Sequence, residues 1–466
     1  MLSSATGDVL SLGLAAFDSL RAEDEPWLAQ CYVPPPAFPF MAGWRSVIVF
    51  GGSGSGLTAL QMAIERQACR PDHTPRLLLA RWPLTLLATQ GLSGTALVEE
   101  QLRHISSGLA EALVEHLGRY PANWQTAPTW ARSSLTWFIQ RYLLRNLPHY
   151  LDSLAEDLVP AGLEVLHAIS TGTAPDVLPP NTPPPLLIGE LIRALQKVGL
   201  EGIWVMLTDV APWVAADSEH AVVTLHAFLS SLTLFEHPRF AYKMLLPDEL
   251  ESPLWSAGSI ARQRVEAYSL AQQWDAATLQ SIVEQRVSSA VGDSQFQLTD
   301  LCEDADLVTW LARCGGASPR GWLQFARPLF AAFLKLSTAS GARRPLTKKA
   351  YHDLQKRHAP RLFFDAQTGQ VTVGAREIRS LPTGTEALLR HLYQHRGTLC
   401  PYRDLYRVYL EAYPDGQPEP DARRIDYAGT LDTAIWRLRG EIEPDPKHHT
   451  LVITVKNKGV RLDNAW

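Results

Sequence analysis

Eight consecutive residues, Gly51-Gly52-Ser53-Gly54-Ser55-Gly56-Leu57-Thr58, carry the spacing of a phosphate-binding loop. The pattern G-x-x-x-x-G-K-[ST] is met at Gly51, Gly56 and Thr58, while Leu57 stands where it asks for lysine. In such a loop, backbone N–H groups and a helix N-terminus surround phosphate oxygens, and glycine permits the close approach. The lysine adds charge at the β- and γ-phosphates, and the Ser/Thr hydroxyl holds Mg2+. A charge-assisted hydrogen bond contributes about 1.5–3 kcal/mol, so Leu57 is expected to lower nucleotide affinity by about one to two orders of magnitude. Hydrolysis should suffer more, because charge builds up in the transition state. The alternative is a Gly/Ser turn with no ligand.

A metal-positioning acid is expected at the end of a downstream apolar strand, and Ile203 to Asp209 fits. Thr58 and Asp209 would then share Mg2+. Val210-Ala211-Pro212-Trp213 follows, so no water-activating acid stands next to Asp209. Asp209 equally suits a strand-end turn. Lys243, in the apolar run Phe240 to Pro247, is either a phosphate sensor or a strand-flanking charge. Arg320 follows Gly315-Gly316-Ala317-Ser318-Pro319 at a helix start, where it either reaches a γ-phosphate or lies on the surface. The expected ligands are ATP or ADP with Mg2+, bound weakly or without turnover, and enzymatic activity is not expected. Catalytic triads and paired carboxylates are absent. Cys31, Cys69, Cys302, Cys314 and Cys400 form no zinc-type spacing and are expected to be free thiols of a reducing cytosol.

The elements that must position these residues follow from patterning. The run Val47 to Phe50 leads into the loop, and an amphipathic stretch from Thr58 to Ala68 leads out of it. The chain divides into a lead-in (1–45), a region of alternating strands and helices (46–335), a basic connector (336–360) and a C-terminal region (361–466). The connector carries Arg343, Arg344, Lys348, Lys349, Lys356 and Arg357. Residues 174–185 hold six prolines and are expected to be a loop. The fold class that follows is an α/β P-loop NTPase-like domain, then a small α+β domain; the resemblances given below imply a helical lid on the first and a winged-helix form for the second. With 466 residues, 46% hydrophobic, 20% charged and a net charge of −5, the composition is that of a globular chain. It is not globally basic, so any nucleic-acid surface must be local. The longest uncharged stretch, Trp82 to Val98, is too interrupted for a membrane span, and the N-terminus lacks a basic signal region. A cytoplasmic location is expected.

In the C-terminal region, Phe363-Phe364 and Val371-Thr372-Val373 read as short strands, with a further strand ending at Ile378. Thr383-Gly384-Thr385-Glu386 reads as a capping box opening a helix. A second helix is expected from Tyr402 to about Tyr413. A third carries Leu431, Ile435, Leu438 and Ile442 at helical spacing and stops at Glu443-Pro444-Asp445-Pro446. Leu451 to Val455 and Val460 to Leu462 read as a hairpin. Arg423, Arg424, Tyr427, Thr430, Thr433 and Arg437 are placed to meet phosphates or bases, and Lys456 and Lys458 suit phosphates. The region has one more basic than acidic residue, so its charge is clustered rather than large.

Two resemblances follow from these residues. The lead-in Ala22-Glu23-Asp24-Glu25…Tyr32-Val33-Pro34, the loop Gly51 to Thr58, the strand ending at Asp209 and the strand Lys243 to Pro247 resemble the ATPase core of the AAA+/STAND superfamily. The likeness is to its origin-recognition-like and NACHT-like bacterial members, and it continues through Trp274…Leu279…Arg286 and Ser318-Pro319-Arg320. It implies a nucleotide-driven open/closed switch and oligomeric assembly, with Leu57 and Val210 as departures. The run Asp432…Ile435-Trp436-Arg437-Leu438-Arg439…Glu443-Pro444-Asp445-Pro446…Gly459-Val460-Arg461-Leu462 is similar to the winged helix-turn-helix of the OmpR/PhoB family. That resemblance implies a third helix in the DNA major groove, a wing on the adjacent backbone, and contact with RNA polymerase through 414–424.

The expected function is a transcriptional regulator, in which a non-hydrolysing P-loop module controls a reader of double-stranded DNA. The alternatives are an ATP-driven oligomeric switch (defence, signalling, replication or transposition initiation) and a scaffold paired with an active P-loop homologue. No membrane partner is expected.

Overall fold

The computed structural model describes the chain outside residues 1–16, 18–20, 25–27, 71, 73, 83–90, 155, 173–176, 178, 180–181, 209, 232–236, 257–264, 292–295, 303–305, 341–342, 366–367, 379, 413–426, 446–447, 457 and 466. The chain forms two compact units. One comprises Pro34–Ser53 and Leu57–Gln273; the other comprises Met1–Val33, Gly54–Gly56 and Trp274–Trp466.

The first of these units is built on a five-stranded sheet of β1 (Val47–Phe50), β2 (Leu78–Arg81), β3 (Ile203–Leu207), β4 (Phe240–Leu246) and β5 (Glu266–Ser269). Its order is β2-β3-β4-β1-β5, and each neighbouring pair is parallel. Parallel strands need long crossovers, which here are helical. The principal helices are α1 (Leu57–Gln67), α2 (Gly94–Arg119), α3 (Thr129–Tyr142), α4 (Pro184–Lys197) and α5 (Ser218–Leu229). Leu109 and Leu113 of α2, Leu135 of α3, Leu191 of α4 and Leu225 of α5 share one core with Phe50, Val205 and Met244. The alternate strand residues Val49, Trp204, Met206 and Leu245 are buried too. Burial on both faces explains why β1, β3 and β4 are continuous apolar runs.

One expectation is corrected at residues 174–185. Pro184 and Pro185 are the first two residues of α4 rather than part of a loop. A proline costs nothing in the first helical turn, where its missing N–H would have had no intrahelical partner. Among the described residues, no helix is long and apolar enough to cross a membrane.

The other unit contains α6 (Ala276–Val291), α7 (Leu307–Gly315), α8 (Pro319–Ser340) and α9 (Lys348–Arg357). It continues through β6 (Leu362–Phe364), β7 (Val371–Val373), β8 (Arg376–Ile378), α10 (Thr383–Gln394), β9 (Cys400–Pro401), α11 (Tyr402–Glu411), α12 (Tyr427–Ile442), β10 (Val452–Val455) and β11 (Gly459–Leu462). Strands β6, β7 and β8 form an antiparallel meander, and β10-β11-β9 form a second small sheet. A single core joins Leu388 and Leu392 of α10, Leu405 of α11, and Leu431, Ile435, Leu438 and Ile442 of α12. The helical region and the C-terminal region meet within this unit. The Ala375 N–H donates to Cys314 O (3.0 Å), and Arg313 Nη1 donates to Glu443 O (3.1 Å). Arg376 Nη2 donates to Glu441 O (2.6 Å). These bonds tie α7 and the strand β8 region to the residues at the end of α12.

The expected capping box is also corrected. Helix α10 begins at Thr383, its cap is Pro382, and no side chain caps it. Pro382 has fixed φ and takes the cap position, which pushes Thr383 into the first turn. Glu386 pairs instead with Arg390 one turn on (3.0 Å).

Lys243 is buried within β4, and its Nζ donates to Gly43 O and Arg45 O, both at 2.7 Å. Burial pulls its pKa down to about 7 from 10.5, partly opposed by Glu266. Between those values the unfolded chain holds a proton that the folded chain does not, so stability rises with pH across that window. Lys243→Met should flatten that rise. Urea unfolding midpoints of wild type and variant, taken at both ends of the window, measure it; parallel slopes would contradict the assignment.

Candidate nucleotide loop and nucleic-acid interface

The glycine loop leaves the C-terminal end of β1. The Gly51 N–H donates to Leu246 O at the end of β4 (3.0 Å), which fixes where the loop starts. Helix α1 begins at Leu57, so its N-terminus faces the loop, and the Thr58 side chain is exposed in the first turn. Leu57 is half-buried. An unforeseen acid stands at the loop: a Cβ built on Gly52 would lie 2.6 Å from Asp248 Oδ2. Asp248 sits two residues past β4, and its carboxylate opposes a phosphate unless a cation lies between them.

Gly54 and Gly56 have φ of +80° and +91°, which glycine adopts at little cost. Gly54, Ser55 and Gly56 belong to the unit that holds Trp274, Ser318 and Arg320. There, Trp274 Nε1 donates to Ser55 O (2.8 Å), and Ser318 Oγ and the Arg320 N–H donate to Gly54 O (3.1 and 3.3 Å). These bonds use loop carbonyls, whereas a phosphate would use loop amides. Ser55 Oγ is buried with no hydrogen-bond partner.

The structure therefore brings Arg320 to the loop. It does not bring Lys243 there. Lys243 pairs in register with Val47 at the start of β1, whereas the loop follows Phe50 at its end. Its ammonium is bonded to Gly43 and Arg45, which makes it a buried structural lysine rather than a phosphate sensor. Asp209 lies outside the described residues.

On the C-terminal side, Thr433, Trp436 and Arg437 are exposed on α12, and Trp436 is 73% exposed. Lys456 and Lys458 are exposed at the turn between β10 and β11. Arg423, Arg424 and the segment 414–424 lie outside the described residues, as do the side chains of Tyr427 and Thr430. A groove of about 920 Å³ runs between α12 and the hairpin, lined in part by Thr433, Trp436, Arg439, Ile453 and Thr454.

Two side chains lock helix and hairpin together. Arg439 donates to Val452 O through Nε (3.0 Å) and Nη2 (2.7 Å), and through Nη2 to Thr454 Oγ1 (2.6 Å). Glu443, fully buried just past the end of α12, accepts from the N–H groups of Thr450 (2.8 Å), Leu451 (3.0 Å) and Val452 (2.6 Å). Burial pushes its carboxyl pKa up, and the three amides pull it back.

Sequence spacing also missed two clusters. His391, His395 and Cys400 place their candidate ligand atoms within 4.8 Å of one another, as do His352, Asp445 and His448. The sequence has no zinc-type spacing there, and it is the turn after α10 that folds Cys400 back beside the histidines. The i, i+4 spacing of His391 and His395 was the available signal.

No protein-family model matches the chain, and no curated protein matches it. Among solved structures it is similar to that of the Aeropyrum pernix Orc1 protein in complex with DNA. The identity is 12%, the match covers 96% of this chain and 94% of that one, and the TM-score is 0.31. A likeness at that score carries no argument about this chain.

Two substitutions test the geometry. Leu57→Lys should raise ATP affinity about ten- to a hundredfold, read by titration calorimetry; an unchanged affinity would mean that the loop presents no phosphate site. Glu443→Ala leaves three amides without their acceptor and should cost at least about 3 kcal/mol in urea unfolding, with Glu443→Gln costing less.

Proposed function

We propose that residues 361–466 are a winged helix-turn-helix reader of double-stranded DNA in a transcriptional regulator. In this reading, α12 enters the major groove and the β10–β11 turn lies on the backbone. The observation that carries the reading is the joint held by Arg439 and Glu443. It fixes the hairpin beside α12 while leaving Thr433 and Arg437 exposed on the helix and Lys456 and Lys458 exposed at the turn. An exposed Arg suits bidentate contact with guanine, and lysines suit phosphates. The segment 414–424, with Arg423, Arg424, Tyr427 and Thr430 after or within it, is assigned to polymerase and DNA contacts on the sequence resemblance alone.

The P-loop region is assigned the control of that reader. Leu57 in place of lysine and the Asp248 carboxylate beside Gly52 both favour a loop that binds ATP or ADP with Mg2+ weakly, or only structurally, over one that turns it over. An AAA+/STAND-type assembly, with itself or with an intact P-loop partner, belongs to the same reading.

Selection from a random duplex pool with the full chain should enrich a defined motif. Arg437→Ala should then lose about 1–3 kcal/mol of discrimination at one position. Lys456→Ala should weaken all sequences alike and lower the salt dependence by about one unit. Failure to enrich, with no salt-dependent duplex binding, would overturn the reading. The exposed Trp436 face would then be a protein-docking surface.

A further inference from the structure

Cys400, His391 and His395 serve no purpose in DNA reading, yet they converge. His391 lies in the last turn of α10, His395 caps that helix, and Cys400 opens β9. Their candidate ligand atoms lie within 4.8 Å of one another, with Cys400 buried, His391 half-buried and His395 exposed. The imidazole centroids are 4.4 Å apart. His395 Nδ1 lies 2.9 Å from His391 O. A carbonyl can only accept, so Nδ1 carries the proton and the lone pair of His395 is left on Nε2. Donating one ring N–H to a backbone carbonyl is the usual way a metal-ligating histidine is oriented.

We propose that His391, His395 and Cys400 form a divalent-cation site of zinc type, with the fourth position taken by water. Two imidazoles and one thiolate are borderline-soft ligands of the kind zinc prefers, and a metal would take up the Cys400 proton's place at sulfur. The site would act as a brace for the hairpin. Cys400 pairs with Val460 and Pro401 with Gly459, so β9 is the strand to which β11 is anchored. A Cβ on Gly459 would lie 2.0 Å from Cys400 O, which shows how closely the two strands meet. Metal would therefore tie the end of α10 to the base of the hairpin.

The second cluster is a contrast. His448 Nδ1 is bonded to Asp445 Oδ2 (2.8 Å), so the one carboxylate of that group is already engaged with protein, and His352 Nδ1 is bonded to Gln355 Oε1 (2.9 Å); the group also has no thiol.

The test is a Co2+ titration of the full chain after dialysis against a chelator, followed by thiolate-to-cobalt charge-transfer absorption. The wild type should saturate at about one equivalent per chain and lose the band when Zn2+ is added. Cys400→Ser should abolish the band. His395→Ala, at an exposed position that should not disturb folding, should weaken Co2+ binding at least tenfold, and His352→Ala should leave it unchanged. Absence of the band in the wild type, or a band of full affinity in His395→Ala or Cys400→Ser, would overturn the assignment.

Discussion

Parallel pairing is the constraint on which the sheet-bearing unit depends. Because β1, β3 and β4 run the same way, the segments that follow them all emerge at one edge of the sheet. The glycine loop after Phe50 and Asp248 after Leu246 meet there for that reason, and the amide of Gly51 is bonded across to Leu246. The same register puts Lys243 beside Val47, about three residues from that edge, so no rotamer of Lys243 serves the loop. Ligands of open α/β sheets bind outside the carboxyl ends of strands, and the edge assembled here is the edge that rule names.

The other unit solves a different problem. A two-stranded hairpin is marginal by itself. Here it is held from three sides: by strand β9, by the guanidinium of Arg439 and by the carboxylate of Glu443. A buried carboxylate is costly unless its oxygens are fully engaged, and three backbone amides engage this one. The bonds consume Arg439 and Glu443, which face the hairpin, and leave Arg437, two residues from Arg439, on the exposed side of α12. Helical phase thus separates the neighbouring arginines, Arg439 bonded to the hairpin and Arg437 exposed.

What could be read from sequence followed from burial. Strands β1, β3 and β4 were legible because both faces are covered and nearly every residue is apolar. Helix α12 was legible from Leu431, Ile435, Leu438 and Ile442. Edge strand β5, Glu266-Ala267-Tyr268-Ser269, carries no such signal, because an edge needs no continuous apolar run. The start of α4 was hidden because prolines that end a helix in its interior are welcome in its first turn. Asp248 and Cys400 were invisible for a common reason: each is brought to its neighbours by a turn that folds the chain back, and turn geometry is not encoded in residue spacing. Gly52, beside Asp248, and Gly459, beside Cys400, were the outward signs of those close approaches.

Glycine spacing alone is therefore an ambiguous mark of a phosphate site. The left-handed residues of the loop are required by a backbone path, and in this chain that path is held by protein groups, Ser318 and Arg320 on Gly54 O and Trp274 on Ser55 O. Those bonds need glycine whether or not a phosphate ever arrives. The charges, in contrast, have no structural duty in the loop. Leucine stands at 57 and the Asp248 carboxylate lies beside Gly52, two features that each disfavour an anion. The backbone path of Gly54 and Ser55 is thus accounted for by Trp274, Ser318 and Arg320 alone, and the glycines there are explained without a ligand.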